Sequence, residues 1–405
     1  MKKNLAWNTI GSIFYSACQW VITIIVIHIA DFDIAGYLSL AMTMSSSFSA
    51  ISLFSMRNFQ VSDVVGEFDT SQYVSSRIWT SIIAFVSCAI VANIGNSIFQ
   101  ALCIIAFMGI RVAEAIVDVC HGVNQKHGRY DLIGISYIIR GFVTVLSFTI
   151  ILYTSNNLLA TLFVMAILNL FFSILFDCRN TFNLESIMID IKDTRIVNLL
   201  NKCFPLVIFT FLLSLENLIP KNVLQNIYGT EQLGIYSSIS SPTLIVQVFA
   251  SVIFNPFLPM FSEIYHSGDV KHFRKLLHKT YLLLGGLCFV VIIGALLLGR
   301  IGLSILFGNE ILQYYFLFMP IIWCTLFTGI IWILSAIVIL LRQIKVLLAV
   351  TVINFMICVL LVVPIVSNYG PNGVSIVQLI SLPILILMMI VICEYTSYKK
   401  DMGEK

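Results

Sequence analysis

LLLGGLCFVVIIGALLLG, residues 282–299, contains no charge, hydroxyl or amide side chain. As a helix, eighteen residues rise about 27 Å, close to the roughly 30 Å hydrocarbon core of a bilayer. With no polar face it cannot lie on the surface of a soluble domain. It reads as the centre of a membrane span over 281–306, preceded by the basic stretch HFRKLLHK (272–279) and ending near Arg300, which is expected to snorkel toward the outer face.

The whole chain extends that reading. Of 405 residues, 59% are hydrophobic and 11% charged, with mean hydropathy +0.98. Ordinary soluble domains carry about 25% charged residues. A soluble enzyme, a secreted disulfide scaffold and a disordered chain are excluded. A formal net charge of +3 gives no basis for nucleic-acid binding. The ten cysteines, among them Cys18, Cys88, Cys103, Cys288, Cys324 and Cys358, fall mostly in apolar stretches without CxxC or metal-ligand spacing. They read as small buried apolar residues, and no metal or cofactor is expected. Lys2 and Lys3 precede an apolar run that passes Ile29 with no A-x-A-like site, so a retained first span is expected there.

Counting stretches of roughly 20 mainly apolar residues predicts an all-α polytopic membrane protein with about twelve transmembrane helices. They fall at 5–29, 36–56, 78–95, 98–119, 136–154, 157–176, 203–227, 234–257, 281–306, 313–340, 346–366 and 374–394. The connections alternate in character. One set (30–35, 95–97, 155–156, 228–233, 307–312 and 367–373) is short and has no Lys or Arg. The termini, with 57–77, 120–140, 177–202, 258–280 and 341–345, hold twenty of the 23 Lys and Arg, counting Arg140 where 120–140 overlaps the span 136–154; the other three, Arg111, Lys221 and Arg300, lie within expected spans. The positive-inside rule puts both termini on the cytoplasmic side of the cell membrane. The outer loops are too short for an extracytoplasmic active site, and G-x-x-x-x-G-K-[ST], H-E-x-x-H, G-x-S-x-G and G-x-G-x-x-G are all absent. The chain does not read as an enzyme.

A duplication is visible. AGYLSLAMTMSSS from Ala35 and LGIYSSISSPTLI from Leu233 share a Gly, an aromatic within two positions, and small polar residues. Ser62-Asp63 and Gly66-Glu67 after the first are matched by Ser262-Glu263 and Gly268-Asp269 after the second. Two six-helix lobes related by a parallel pseudo-two-fold repeat are expected, over 1–176 and 203–405. The stretch 177–202 is the expected cytoplasmic linker, its Ile187, Ile191, Ile196 and Leu199 suggesting an amphipathic surface helix. Such lobes are a transporter architecture, with the substrate path between them.

Ionisable residues inside spans cost about 2.5–3.5 kcal/mol each on insertion scales, so they mark where function is to be sought. Arg111, Glu114 and Asp118, at steps of three and four, share a helix face. Glu216 and Lys221 flank Asn217 and Pro220. Two readings stand side by side. Arg111 and Lys221 are cations of a central cavity that takes a phosphate or diphosphate through charge-assisted hydrogen bonds, with Glu114, Glu216 or Asp118 as candidates for ion coupling. Alternatively, Arg111–Glu114 and Lys221–Glu216 are internal pairs. In the first span Asn8, Ser12, Tyr15, Gln19 and Thr23 recur at steps of three and four. Cavity lining for a sugar and interhelical hydrogen bonding, about 0.6 kcal/mol per contact, explain that stripe equally well. His28 reads as an interfacial residue.

Four segments carry a family resemblance: DVCHGVNQKHGRYDLIGISYIIRG (118–141), ENLIPKNVLQNIYGTEQLGIYSSI from Glu216, NPFLPMFSEIYHSGDVKHFRKLLHK ending at Lys279, and RNFQVSDVVGEF from Arg57. They resemble polysaccharide-repeat-unit flippases, the Wzx-type O-antigen and capsule transporters of the multidrug/oligosaccharidyl-lipid/polysaccharide (MOP) exporter superfamily. With the span layout, the resemblance covers essentially the whole chain. It implies two six-helix lobes around a cationic cavity, working by alternating access. The implied substrate is an undecaprenyl-diphosphate-linked oligosaccharide, carried from the inner to the outer leaflet for O-antigen, capsule or exopolysaccharide synthesis. Arg111 and Lys221 suit the diphosphate, with Glu114, Glu216, Asn8, Tyr15 and Gln19 as further cavity residues. Arg57, Arg129, Asp131 and Arg140 match the cytoplasmic loop patterns and read as gating ion pairs at the inner mouth or as orientation signals. The implied partners are the lipid-linked oligosaccharide, membrane lipids, and the polysaccharide polymerase and chain-length machinery.

Two alternatives share parts of this picture. A multidrug or small-solute exporter of the same superfamily predicts a cavity dominated by acids, whereas each expected lobe here supplies one cation and at least one acid. A membrane-embedded polymerase or glycosyltransferase would use the same lipid-linked substrate but predicts an extended outer loop.

Overall fold

The computed structural model describes residues 2–62, 66–243, 246–247, 250, 254, 257–267 and 269–401. Among them the chain is all-α, without a strand. Two compact units divide it, Met1–Leu218 and Ile219–Lys405.

The first unit begins with α1 (Lys2–Ile29), α2 (Phe32–Leu53), the short α3 (Met56–Ser62), α4 (Thr70–Ala92), α5 (Ile98–Lys126) and α6 (Tyr130–Ser155). Next, α7 (Leu158–Phe172) passes through a π-helical turn, Ser173–Cys178, into α8 (Arg179–Leu184). The long α9 (Arg195–Tyr228) follows, and its residues beyond Leu218 belong to the second unit. Local chemistry sets the helix ends. Asp31 caps α2 by accepting from the Ile34 N–H at 2.8 Å, Ser97 and Gln100 form a capping box at α5, and Asn157 caps α7 through the Ala160 N–H at 3.1 Å. Phe54 and Ser55, both at φ 51°, turn the chain from α2 into α3.

Packing inside the unit places the site. α5 is its buried centre, wrapped by α2, α4 and α7, with Ile104, Phe107, Met108 and Ile110 removed from solvent. α1 lies along α6, and glycines set the spacing. A Cβ on Gly11 would stand 2.4 Å from the Gly134 carbonyl oxygen, and one on Gly134 2.3 Å from that of Trp7. Small residues let membrane helices approach until their backbones touch. This approach brings Tyr15 of α1 beside Arg140 of α6.

The second unit holds α10 (Thr230–Ser240), a 3-10 turn at Ser241–Thr243 containing Pro242, α11 (Phe257–Ser267), α12 (Val270–Phe307), a 3-10 segment at Asn309–Leu317, α13 (Phe318–Leu340), α14 (Ile344–Tyr369) and α15 (Pro371–Asp401). α15 packs against α13 and α14, and Tyr236 and Ser375 share a buried hydrogen bond of 3.0 Å.

Ten described helical runs are long and apolar enough to cross a membrane. α12 shows the character most plainly: 11% of its most apolar window is buried, and Leu296, Leu297 and Leu298 are at least 60% exposed. A helix can present such a surface to lipid because its backbone groups are satisfied internally. Two expected spans are not among the ten. One, 98–119, is α5, which is 29 residues long. The other, 234–257, starts as α10 and continues into residues that lie partly outside the described set, as do Asp63 and Gly268 of the repeat pairs.

Several expected boundaries are corrected. α4, α6 and α12 begin at Thr70, Tyr130 and Val270 rather than at 78, 136 and 281, which moves Arg77 from a loop into a helix and places Arg140 well inside one. An arginine can sit there because both are paired, as described below. The stretch 177–202 is not one amphipathic helix. Residues 185–194 are non-helical, and Ile196 and Leu199 belong to α9. Side chains of α4 supply the hydrogen bonds a helix would otherwise make: Ser71 Oγ accepts from Met188 N at 3.1 Å, Ser75 Oγ from Asp190 N at 3.0 Å, and the Trp79 indole donates to Ile191 O at 3.0 Å.

Candidate functional site

Five polar residues follow one face of α5 at steps of three and four: Arg111, Glu114, Asp118, His121 and Gln125. They form a ladder about 21 Å long, and neighbouring helices supply partners to its rungs.

At the top rung Arg111 Nη1 donates to Glu114 Oε2 at 2.6 Å and Nη2 to Ser46 Oγ of α2 at 2.9 Å. The guanidinium carbon lies 5.2 Å from the Phe107 ring centroid, a cation–π distance. Tyr15 of α1 donates its hydroxyl to Glu114 Oε1 and accepts from Gln19 Nε2 at 2.9 Å. Arg140 Nη2 stands 3.9 Å from Glu114 Oε1, with its guanidinium carbon 5.2 Å from the Tyr15 ring centroid. Arg140 is 3% exposed, whereas Arg111 and Glu114 are 16% and 18% exposed. The pair therefore reaches the edge of the unit's interior while Arg140 backs it from within.

The next rung is Asp118. Arg77 Nη2 meets it at 2.9 Å and Arg57 Nη1 at 3.6 Å. Arg77 also donates to the Ser52 carbonyl at 2.6 Å, and Arg57 to Gln125 Oε1 at 3.3 Å. Below it, His121 Nε2 faces Asp177 Oδ1 at 3.5 Å. Four guanidinium groups and three carboxylates thus accompany the ladder, a balance that leaves it cationic.

The sequence-derived residues divide. Arg111, Glu114, Tyr15 and Gln19 come together, and Asp118 and Arg57 form the rung below. Arg140 joins the Glu114 centre rather than the loop ion pairs, because α6 starts early enough to carry it inward. Arg129 and Asp131 bracket the α5–α6 turn at 2.9 Å, apart from the ladder. In the α1 stripe, the Ser12 and Thr23 hydroxyls return to carbonyls of their own helix, Thr9 at 3.0 Å and Trp20 at 2.7 Å, and Asn8 is half-buried. Glu216 is buried on α9. Lys221, in the second unit, is half-buried and makes no ion pair or hydrogen bond among the described residues.

No protein-family model matches the sequence. A capsular polysaccharide biosynthesis protein, CapF of Staphylococcus aureus, is 26% identical over 315 residues, 76% of this chain and 78% of CapF. The MATE transporter VcmN of Vibrio cholerae superposes with TM-score 0.67 at 11% identity, covering 100% of this chain and 96% of VcmN. The lipid II flippase MurJ superposes with TM-score 0.72 at 14% identity, covering 98% and 90%. The chain is a multi-pass membrane protein that shares its fold with these transporters. Its fold class is the one the sequence implies.

Some residues of this site were not legible as site residues. Continuing the three-four step past Asp118 reaches His121 and Gln125, a signal present in the sequence. Arg77 was read as a loop charge. Asp177 carries no such signal, since its position depends on a π-helical turn that shifts the register of α7.

Proposed function

We propose that this protein is a flippase of the MOP superfamily. It moves an undecaprenyl-diphosphate-linked oligosaccharide repeat unit from the inner to the outer leaflet of the cytoplasmic membrane by alternating access, for surface polysaccharide synthesis. The observation that carries this reading is the similarity, across three-quarters of the chain, to a protein named for capsular polysaccharide biosynthesis. The cationic balance around Glu114 supports it. A diphosphate brings oxygens that substitute for the Glu114 carboxylate on Arg111, and Arg140 is in reach to receive Glu114 when that happens. Arg111 can grip the anion through two donors, and Lys221 is the other intramembrane cation the sequence offers for that role. Tyr15, Gln19 and Asn8 offer hydroxyl and amide groups to sugars. Carrying the headgroup past protein charges avoids the cost, several kcal/mol per ion, of moving it bare through hydrocarbon. The termini lie in the cytoplasm. The Arg57–Asp118 and Arg129–Asp131 pairs act at the inner side, and a polymerase with its chain-length machinery takes the product outside.

A second reading, a multidrug exporter, is favoured by the likeness in fold to a structure described as a multidrug resistance MATE family transporter. Deleting the gene from its host separates the two. The flippase reading expects loss of surface glycan with lipid-linked intermediates accumulating inside. An unchanged surface glycan with raised drug sensitivity supports the exporter.

A further inference from the structure

His121 and Asp177 are 1% and 2% exposed and stand two helical turns from Glu114 along α5. Their facing atoms, Nε2 and Oδ1, have no hydrogen-bond partner among the described residues. Buried polar atoms left in this condition are costly, and neither is used by the anion site. A change of helical register accompanies the pairing. The π-helical turn Ser173–Cys178 sets Asp177 against His121 and, in register, Cys178 against Cys120 with the sulfurs 3.9 Å apart. Turns of this kind are frequent at functional sites.

The pair is connected to the Glu114 centre. Tyr137 of α6 packs edge-on to the His121 ring at 4.9 Å and against Tyr15 at 5.6 Å, and Tyr15 holds Glu114. The groups facing His121 are Asp177 from the π turn, Arg57 from α3, and Arg140 and Tyr137 from α6, with Asp118 and Cys120 on its own helix. Arg140 is also close enough to Asp177 for the two charges to attract. It is thus contested between Asp177 and Glu114.

We propose that His121 and Asp177 form a proton-binding pair whose occupancy controls how Arg140 engages Glu114, coupling a proton to the lipid-linked anion. The coupling rests on the flippase reading; the proton site does not. Hydronium gives a proton to the imidazole Nε2, so that one O–H bond breaks, one N–H bond forms and water is released, and the pair passes from net negative to net neutral. With that negative charge cancelled, Arg140 turns toward Glu114 and draws it from Arg111, which opens Arg111 to the diphosphate. Loss of the proton reverses the exchange.

The test uses the full chain in lipid nanodiscs with isotope-labelled histidine, the His121 resonance being assigned by its loss in His121→Gln. His121 is expected to change protonation state within the pH range over which the chain stays folded. Asp177→Asn is expected to move the midpoint by about one pH unit or more, Asp177→Glu to restore it in part, and His278→Gln to leave it in place. A His121 that keeps one protonation state throughout, or whose midpoint ignores Asp177→Asn, overturns the proton site. Binding of undecaprenyl diphosphate at pH 6 and pH 8 tests the coupling. The native chain is expected to change affinity about fivefold or more, and Asp177→Asn less than about twofold. Parallel profiles overturn the coupling. Normal titration with no undecaprenyl diphosphate binding at either pH refutes the flippase reading and the coupling with it, while upholding the proton site.

Discussion

Glu114 holds Arg111 at 2.6 Å through one oxygen while its other oxygen lies 3.9 Å from Arg140. One carboxylate stands between two guanidinium groups, bound to the first and within reach of the second. Such a group can be exchanged rather than broken, because either partner compensates its charge. An uncompensated carboxylate would be costly here.

Replacing both Arg111 and Lys221 by Ala is therefore expected to abolish surface polysaccharide while the protein remains in the membrane fraction. Arg111→Lys is expected to be intermediate. It keeps the charge but loses the planar two-donor grip that now spans Glu114 and Ser46. Immunodetection of surface glycan, normalised to the inserted protein, reads both. Normal glycan on the double variant rejects the diphosphate role.

The Asp118 rung gives a contrast in stability. Arg77 is 2% exposed and Arg57 26% exposed, yet both face the same carboxylate. Arg77→Ala strips Asp118 and the Ser52 carbonyl of a buried donor, and is expected to cost about 3 kcal/mol or more. Arg57→Ala removes a longer, wetter pair and is expected to cost under about 1 kcal/mol. Thermal unfolding of the purified variants in detergent ranks them. Equal shifts would mean that burial does not separate the two arginines.

The sequence exposes much of this arrangement and conceals the rest for physical reasons. Arg111, Glu114 and Asp118 stand out because charges in an apolar helix are costly wherever they point, and their spacing alone puts them on one face. Tyr15 and Gln19 are visible as a stripe, but the stripe does not say which members cross to α5. That choice depends on how closely Gly11 and Gly134 let α1 approach α6. Arg77 escapes because a helix that runs past its apolar core looks like a loop in composition, and Arg140, legible as a candidate gate residue, does not show from sequence that it faces Glu114. Asp177 escapes because a π-helical turn obeys neither the three-residue nor the four-residue step. The irregular course of 185–194 is hidden too, since its hydrogen bonds come from serines more than a hundred positions earlier.

That irregular segment yields a pH prediction. The Gln72 amide donates to Asp193 Oδ2 at 2.6 Å, and the Arg195 N–H donates to Oδ1 at 2.9 Å. The Gln72 bond foremost, and then the Arg195 N–H, hold the Asp193 carboxyl below its ordinary value. A lowered folded-state value means that the unfolded chain takes up the proton first. The stabilisation is present above the unfolded value, about 3.9, and fades as pH falls through the folded one. The gap in melting temperature between the native chain and Asp193→Ala is therefore expected to be constant from about pH 7 to 5 and to close below about pH 4. A gap that persists at acid pH would place the effect of Asp193 elsewhere than in its charge.

The approach of α1 to α6 is the geometric condition for the whole Glu114 centre, and a single methyl group tests it. An alanine Cβ at position 134 would lie 2.3 Å from the Trp7 carbonyl oxygen, a backbone atom that no side-chain rotation can move aside. The helices must separate, and overpacking of this kind costs about 1–3 kcal/mol. Because Tyr15 sits two turns along α1 from Trp7, the separation also lengthens its hydrogen bond to Glu114. Gly134→Ala is expected to lower the melting temperature and surface glycan together, whereas Gly294→Ala, where a Cβ meets nothing within 4 Å, should change neither. If Gly134→Ala is silent in both assays, the contact between α1 and α6 is looser than the structure shows, and Tyr15 is not held against Glu114 by it.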